Sequence, residues 1–414
     1  MLYRRPALTF VAAAVLAAAG FPAASQDTPS PPAPLVEVRV HVTDRGAFQD
    51  GLELKDFSLL EDGRVQSVSS LTLVRSGGVA RFEGDKATLP RVDRSYTLLF
   101  QAVDWDPKLV QAIEYLFDRI LQPGDAMTLV TPFKPYRLQP DALAHRSKDE
   151  LVKGMGEVLR NDISLGGGEY RDLLNDLKRL TRAISGPSST LDVTMSTDPD
   201  MESFGEGTVD NLQMQLERYR TTLMKLDGIR LVDESKLEAF AESLRAAPGQ
   251  KTVVFFYQRE YRPEINAGTM NRLMALYQEN FDILQNLTEL FQFYKREKRF
   301  DTERVKRAFA DAGVEFHFIF MERKSQRVSG VTMREQSEDT YPGFVEVARA
   351  SGGTAESSQN PAASFQRAAD VSNDHYVLTY VPDAFVADGG FRTIEVRVSR
   401  PGCRVSHRLG YYAK

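Results

Sequence analysis

The sequence predicts an α/β fold: a long central region of alternating strands and helices, flanked by an all-β piece at each end. Short apolar runs at residues 96–100, 252–257 and 314–320 indicate buried strands, and segments with helical periodicity lie between them. Hydrophobic and polar residues alternate at period two over residues 35–42 and 392–399, near the two ends. Strands that alternate with helices favour a parallel sheet covered on both faces.

The first 25 residues have the pattern of a secretory signal peptide. Arg4 and Arg5 supply positive charge, residues 8–21 are apolar and Ala-rich, and small residues at 23–25 suit cleavage. The alternative is an uncleaved anchor, although this stretch is shorter than the roughly 20 residues of a membrane span. We therefore expect an exported protein, periplasmic or extracellular, with no membrane span after signal removal. Residues 26–34, rich in Pro and Ser, are predicted to be a disordered linker.

Residues 35–75 are predicted to form the N-terminal β piece. After the strand at 35–42, Glu61-Asp62-Gly63 supplies hairpin chemistry because Gly63 adopts positive φ easily. Val65 to Leu73 then gives one or two further strands. A piece of this size is too small to bury a core alone.

Residues 93–355 carry the α/β pattern. The strand Tyr96–Phe100 leads into a predicted helix at 107–121, where Pro107 suits the first turn. Further elements are predicted as a strand at 127–133, a helix at 148–159, and strands at 252–257 and 314–320.

Two helical insertions interrupt this region, at about 208–247 and 268–310. From Asn211 the apolar residues recur at steps of four and three, as in a coiled coil. From Met270 a similar pattern predicts one long amphipathic helix. We favour packing of these helices on each other or on the sheet, with binding of a partner as the alternative.

Residues 186–210 are rich in Ser, Thr, Gly and Asp and are predicted to form a mobile acidic loop. Asp198, Asp200 and Glu202 offer oxygen ligands for calcium, but they lack the spacing of a known calcium-binding loop.

Residues 375–414 return to a β pattern and form the C-terminal β piece. Tyr376–Tyr380 is a predicted strand, and the alternating strand at 392–399 follows a Gly-rich turn. Because chain ends often lie close together, we expect this piece to join residues 35–75 in one split β-sandwich.

Composition excludes several function classes. The formal net charge is −5, which argues against a nucleic-acid partner. Cys403 is the only cysteine, so no intramolecular disulfide forms, and the five histidines lack zinc-site spacing. The sequence also lacks the nucleophile elbow, the phosphate-binding loop and the dinucleotide fingerprint. We therefore predict a non-enzymatic protein without a cofactor.

Four stretches resemble bacterial, acidobacterial-type proteins with a von Willebrand factor type A (vWA)-related domain. Together they cover both ends of the region after the signal segment. They are Gly51-Leu52-x-x-x-Asp56-Phe57-x-Leu59-x-Glu61-Asp62-Gly63, Leu121-Gln122-Pro123-Gly124-Asp125, Ala348-x-x-Ser351-Gly352-Gly353, and His375-Tyr376-Val377-Leu378-x-Tyr380-Val381-Pro382 with the terminal Gly410-Tyr411-Tyr412.

The resemblance implies a Rossmann-like vWA sheet whose metal-ion-dependent adhesion site is degenerate. The first loop of that site carries Asp-x-Ser-x-Ser in the family, and the matching positions here are Gln101, Val103 and Trp105. Gly168 matches the threonine of the second loop, and Gln258 lies where the third loop has Ser-Asp-Gly. Divalent ions need hard oxygen ligands from separate loops, so the resemblance implies binding without that metal.

Asp104 and Asp106 offer a rescue of the metal site as a shifted pair. We favour a capping role, because aspartates before a helix stabilise its positive end. Trp105, the only tryptophan, either contacts a protein partner or packs under a neighbouring helix.

Ligands of α/β sheets sit beyond the carboxyl ends of the strands. We expect a partner-binding rim there that includes Asp104, Trp105, Arg259 and Glu260. The predicted function is binding of an unknown protein partner in the cell envelope or outside the cell. The alternatives are a metal-dependent adhesion protein using Asp104 and Asp106, and an envelope scaffold that self-associates through its helices.

Overall fold

The computed structural model describes residues 33–139, 141–185, 202–229, 233–296, 300–323 and 331–414. The predicted signal peptide, most of the predicted linker, and residues 186–201 of the predicted acidic loop, with Asp198 and Asp200, lie outside the described residues. The prediction of a loop is wrong for residues 202–210, because they belong to a helix.

The strands are, in chain order, β1 Val36–Asp44, β2 Ala47–Phe48, β3 Phe57–Glu61, β4 Arg64–Gln66, β5 Val68–Arg75, β6 Gly78–Gly84, β7 Arg94–Gln101, β8 Ala126–Val130, β9 Pro135–Arg137, β10 Gln250–Gln258, β11 Tyr261–Glu264, β12 Val314–Met321, β13 Thr332–Glu335, β14 Ala355–Ser358, β15 His375–Tyr380, β16 Phe391–Val398, β17 Arg404–His407 and β18 Gly410–Tyr412.

The α-helices are, in chain order, α1 Lys108–Tyr115, α2 Ala142–His145, α3 Lys148–Gly166, α4 Gly168–Ser185, α5 Glu202–Ile229, α6 Glu234–Arg245, α7 Ala267–Leu276, α8 Phe281–Lys295, α9 Thr302–Asp311, α10 Tyr341–Ala350 and α11 Pro361–Asn373. A π-helical turn, Leu116–Ile120, continues α1. None of the helices in the described part of the chain has the length and hydrophobicity that a membrane span needs.

One six-stranded sheet contains the three apolar strands that the sequence indicates. Its order is β9-β8-β7-β10-β12-β14, and all neighbouring pairs are parallel except β8 with β9. Every residue of β10 and β12 is buried, as expected for strands covered on both faces. The predicted α/β class is confirmed in this general form.

Two layers of helices cover this sheet. Phe100 and Phe256 stack on one face with ring centroids 4.6 Å apart, and α1, α3 and α11 pack over them. Phe255 and its neighbours on the other face pack against α6, α9 and α10. Successive residues of β10 thus contribute to opposite cores, which is the period-two geometry of a strand.

The helices α4, α5, α7 and α8 bury a separate apolar cluster. The buried side chains of α5 are those at the predicted steps of four and three, namely Leu216, Tyr219, Leu223 and Leu226. The prediction of one long helix from Met270 is wrong. The helix is interrupted between Leu276 and Phe281. Asn280 caps a new helix there, its side chain accepting the Ile283 N–H at 3.0 Å.

Strands from both ends of the chain share two further sheets. The first has the order β17-β1-β15-β5-β6, with β2 also paired to β1, so β15 lies between two N-terminal strands. The second has the order β18-β16-β3-β4. Apolar side chains of both sheets form one cluster. The predicted hairpin is confirmed: β3 and β4 pair around Asp62 and Gly63, both at positive φ.

Candidate binding rim at the carboxyl edge of the sheet

The loops after β7 and β10 meet at one edge of the six-stranded sheet. The two strands are parallel neighbours, with Gln101 opposite Tyr257 at their carboxyl ends. Gln101 is exposed, whereas the side chain of Gln258 turns inward and is buried. We call this edge the rim; it includes the loop at residues 102–107.

Gln258 binds the backbone of the loop after β7 through both ends of its amide. Its Oε1 accepts the N–H of Val103 at 3.0 Å and the N–H of Asp104 at 2.9 Å. Its Nε2 donates to the carbonyl of Asp104 at 3.1 Å. Three backbone groups at a strand end are therefore satisfied by one neutral side chain, which fixes the loop conformation.

Arg171, in the first turn of α4, secures the same loop from the other side. Its guanidinium donates to the carbonyls of Val103 and Ser164. Gly167 permits this approach, since a Cβ there would lie 2.7 Å from the Val103 oxygen and 2.6 Å from Arg171 Nη1. A Cβ at Gly168 would meet nothing within 4 Å. Of the two adjacent glycines, Gly167 therefore packs against the first loop, while Gly168, the position that matches the family's threonine, does not.

Asp104 forms an ion pair with Arg323, which follows β12. Lys178 of α4 lies close to both groups. Burial and the charge of Arg323 lower the pKa of Lys178, while the Asp104 carboxylate opposes that shift. Asp104 and Arg323 remain partly accessible, with 34% and 19% of their side chains exposed.

Asp106 caps the start of α1 and does not join Asp104. Its Oδ1 accepts the N–H of Lys108 at 2.9 Å, a group that has no partner within the helix. The capping role expected for both aspartates is thus found at Asp106 and is wrong for Asp104, whose carboxylate pairs with Arg323.

The residues at the rim do not fit a divalent cation. Gln258 Oε1 and Asp104 Oδ2 are already engaged, and the guanidinium groups of Arg171 and Arg323 supply positive charge where a cation would need oxygen ligands. Among the described residues, no three His, Cys, Asp or Glu side chains are arranged to hold a metal ion.

Trp105 combines features of the two predicted alternatives, contact with a protein partner and packing under a neighbouring helix. It lies in the rim loop and is partly exposed, but it also packs against the apolar cluster under α1. Its side chain therefore supports the core and leaves one part accessible.

Phe133 and Leu165 add exposed apolar surface that the sequence reasoning missed. Phe133 was expected at the end of a strand, but β8 ends at Val130, and the loop that follows leaves Phe133 60% exposed. Leu165, in the last turn of α3, is 66% exposed. The loop packs on α3, because Thr131 Oγ1 donates to Asp162 at 2.6 Å.

Arg259 and Glu260 differ in accessibility. Arg259 is partly exposed, pairs with Glu335 at 3.2 Å and lies over the Phe320 ring at 5.0 Å. The expectation that Glu260 lies on the binding surface is wrong, since Glu260 is only 3% exposed. The backbone of Glu260 is bonded to Gln336 where β11 pairs with β13, and this pairing covers the residue.

Comparison with known proteins found no matching family model, no similar curated protein and no similar solved structure.

Proposed function

We propose that this chain is an exported, non-enzymatic binding protein on a vWA-like domain that has lost its metal site. The order of the six-stranded sheet supports this proposal. Numbered along the chain, its strands run 3-2-1-4-5-6, as in doubly wound Rossmann-type sheets, with strand 3 antiparallel. The two antiparallel sheets that contain strands from both ends of the chain support the split β-sandwich of the same proposal.

The exposed pair Phe133 and Leu165 is the observation on which the binding role rests. Phe133 follows β8 at the carboxyl edge, where α/β sheets bind ligands, and Trp105 follows the neighbouring strand β7. Leu165 precedes Gly166, which lies against Pro132 of the same loop, since a Cβ at Gly166 would be 2.9 Å from the Pro132 Cβ. Large apolar and aromatic side chains anchor protein interfaces, while charged groups around them set specificity. The Asp104–Arg323 pair supplies such charges. The partner is therefore a protein that presents an apolar side chain to this edge.

Photo-crosslinking tests the proposal. A photoreactive phenylalanine analogue at position 133 or 165 should form a discrete adduct with one envelope or extracellular protein. The same analogue at Val386, which is 58% exposed in the C-terminal β piece, is the matched control. A common adduct at 133 and 165 that is lost on Trp105→Ala, and absent at 386, supports the rim. Equal labelling at all three positions contradicts it.

Self-association through the helical insertion is a second candidate function. Apolar side chains are exposed on α7 and α8, including Leu276 at 59%, Phe281 at 75% and Phe291 at 43%. Helices that present such residues often pair with a second copy. Sedimentation velocity of wild type and Phe281→Ser tests this. A concentration-dependent dimer that the substitution abolishes supports self-association, and a monomer throughout removes it.

A further inference from the structure

A cavity of about 360 Å³ lies at the opposite edge of the six-stranded sheet, where the amino ends of β10 and β12 meet strands β1 and β18. This volume falls within the range of small-molecule sites, roughly 300–1,000 Å³. The cavity shares none of its lining with the rim residues Gln258, Asp104 and Trp105. It is therefore a separate site.

Positive charge dominates the lining of this cavity. Six basic side chains line it against three carboxylates. Glu315 is already engaged by Arg39 at 2.5 Å and by His41 at 2.8 Å. Asp311 lies between two of the other basic groups, Arg245 at 3.6 Å and Lys414 at 3.7 Å. The remaining positive charge is thus not balanced by the lining itself.

Two buried N–H donors in the wall lack an acceptor, and a third group, the Lys251 ammonium, has a single one. Lys251 is only 8% exposed, and its Nζ donates to a single group, the Ala247 carbonyl at 3.1 Å. Arg408 Nε and Gln250 Nε2 are buried and have no hydrogen-bond partner in the part of the chain that the structure describes. Among the described residues, neither Lys251 nor Arg408 forms an ion pair. Buried donors without acceptors are costly, so such a group of donors suits an anionic ligand that accepts from them.

Capping of helix ends accounts for only part of this arrangement. Lys251 binds a carbonyl just beyond α6, and Arg408 Nη1 binds the Ala310 carbonyl near the end of α9 at 3.3 Å. Each contact uses one N–H. The other N–H groups of the Lys251 ammonium and the Nε–H of Arg408 take no part in these capping contacts. Burial, together with the charges of Arg408 and Arg39, lowers the pKa of Lys251 to about 8. An anion in the cavity would relieve that repulsion.

We propose that this cavity binds a small multivalent oxyanion, a compound carrying phosphate or carboxylate groups, through Lys251, Arg408 and Gln250. Arginine and lysine together suit this chemistry, because the guanidinium offers a planar pair of donors and the ammonium a compact charge. Glu37, whose backbone carbonyl accepts from Arg408 at 2.8 Å, carries the carboxylate that competes with the ligand for this charge.

Calorimetry with pyrophosphate and with citrate at low salt tests the proposal. We expect binding of at least one probe to wild type, with an affinity that falls as salt rises. Lys251→Gln should weaken it by about ten- to hundredfold, the effect of one charge-assisted hydrogen bond. Lys236→Gln removes the same charge from an exposed side chain outside the cavity and should leave the affinity unchanged.

The variant Glu37→Gln is expected to change the affinity in the opposite direction, a result that partial unfolding of the variant would not produce. Removing the competing carboxylate should tighten binding several-fold, while the melting temperature of each free variant reports its fold. Preference for pyrophosphate over citrate identifies the phosphate class, and the reverse identifies polycarboxylates. Absence of binding by both probes at millimolar concentration, or equal affinities of the Lys251→Gln and Lys236→Gln variants, overturns the proposal.

Discussion

The side-chain amide of Gln258 forms hydrogen bonds with both backbone polar groups of Asp104, accepting its N–H at 2.9 Å and donating to its carbonyl at 3.1 Å. Gln258 lies at the position that the vWA resemblance assigns to a metal-site loop. The amide of Gln258 and the guanidinium of Arg171 thus fix this loop through hydrogen bonds to its backbone. The rim is therefore preorganised without metal.

Gln258→Ala should destabilise the protein by about 2–4 kcal/mol, because the N–H groups of Val103 and Asp104 lose their acceptor in a buried setting. Urea unfolding followed by the fluorescence of Trp105 measures this directly. Gln101→Ala, at the exposed end of β7, is the control and should change the free energy of unfolding by less than about 0.5 kcal/mol. Equal stability of the two variants would show that the amide does not hold the loop.

Adjacent glycines should respond in opposite ways to alanine. Gly167→Ala places a methyl group against the Val103 oxygen and Arg171, and should cost about 1–3 kcal/mol. Gly168→Ala meets open space at the start of α4 and should be neutral, or stabilising by up to about 1 kcal/mol. Thermal unfolding of both variants decides. If alanine is tolerated at position 167 but destabilises the protein at position 168, the close contact involves Gly168 and the account is contradicted.

Exposed and half-buried rim side chains should separate stability from binding. Phe133→Ser and Leu165→Ser should leave the free energy of unfolding within about 0.5 kcal/mol of wild type, since most of each residue is exposed to solvent. Trp105→Ala should cost about 1–3 kcal/mol because Trp105 also packs on the core. Denaturant titrations give these values. A loss at Phe133 as large as that at Trp105 would contradict the exposed rim.

Stability should fall as the pH drops below about 6.5, the ordinary pKa of histidine. Burial, reinforced by the charges of Arg39 and His41, holds the pKa of His375 well below that value. The unfolded chain therefore takes up a proton that the folded chain refuses, and the loss is at most about 1.4 kcal/mol per pH unit for this residue. Burial also lowers the pKa of His407, which adds to the loss in the same direction.

The variant His375→Asn isolates this contribution. An asparagine amide can still donate to the Ser372 carbonyl, which lies 3.0 Å from His375 Nδ1, but it does not titrate. Chemical denaturation between pH 8 and pH 5 should give a shallower loss of stability for this variant than for wild type. Parallel pH profiles would show that His375 is not responsible.

Local patterns were enough to predict the four inner strands of the six-stranded sheet, β8, β7, β10 and β12, and the Asp62-Gly63 hairpin, because burial along a strand and positive φ are properties of short segments. The short outer strands β9 and β14 were not predicted. The break before Asn280 was missed because the apolar spacing continues across it. Its signal was present, since Asn280 is a good helix cap.

Contacts between segments that are distant in the sequence could not be predicted from local patterns. Glu260 is buried by the pairing of β11 with β13, two strands about 70 residues apart in the chain. The cavity at the amino ends of β10 and β12 is lined by Arg39, Lys251 and Arg408, which no sequence motif links. Arg171 lies in the second-loop segment, but nothing local shows that its guanidinium reaches Val103.

Calorimetric titration of the purified protein with magnesium and calcium tests the central claim most directly. The claim is that the rim binds without metal, held by Gln258 and Arg171. We expect no binding isotherm and no change in melting temperature with either ion at millimolar concentration, and the same crosslinked adduct from position 133 with and without chelator. A micromolar site that Asp104→Ala abolishes would contradict the claim and restore the metal-dependent alternative.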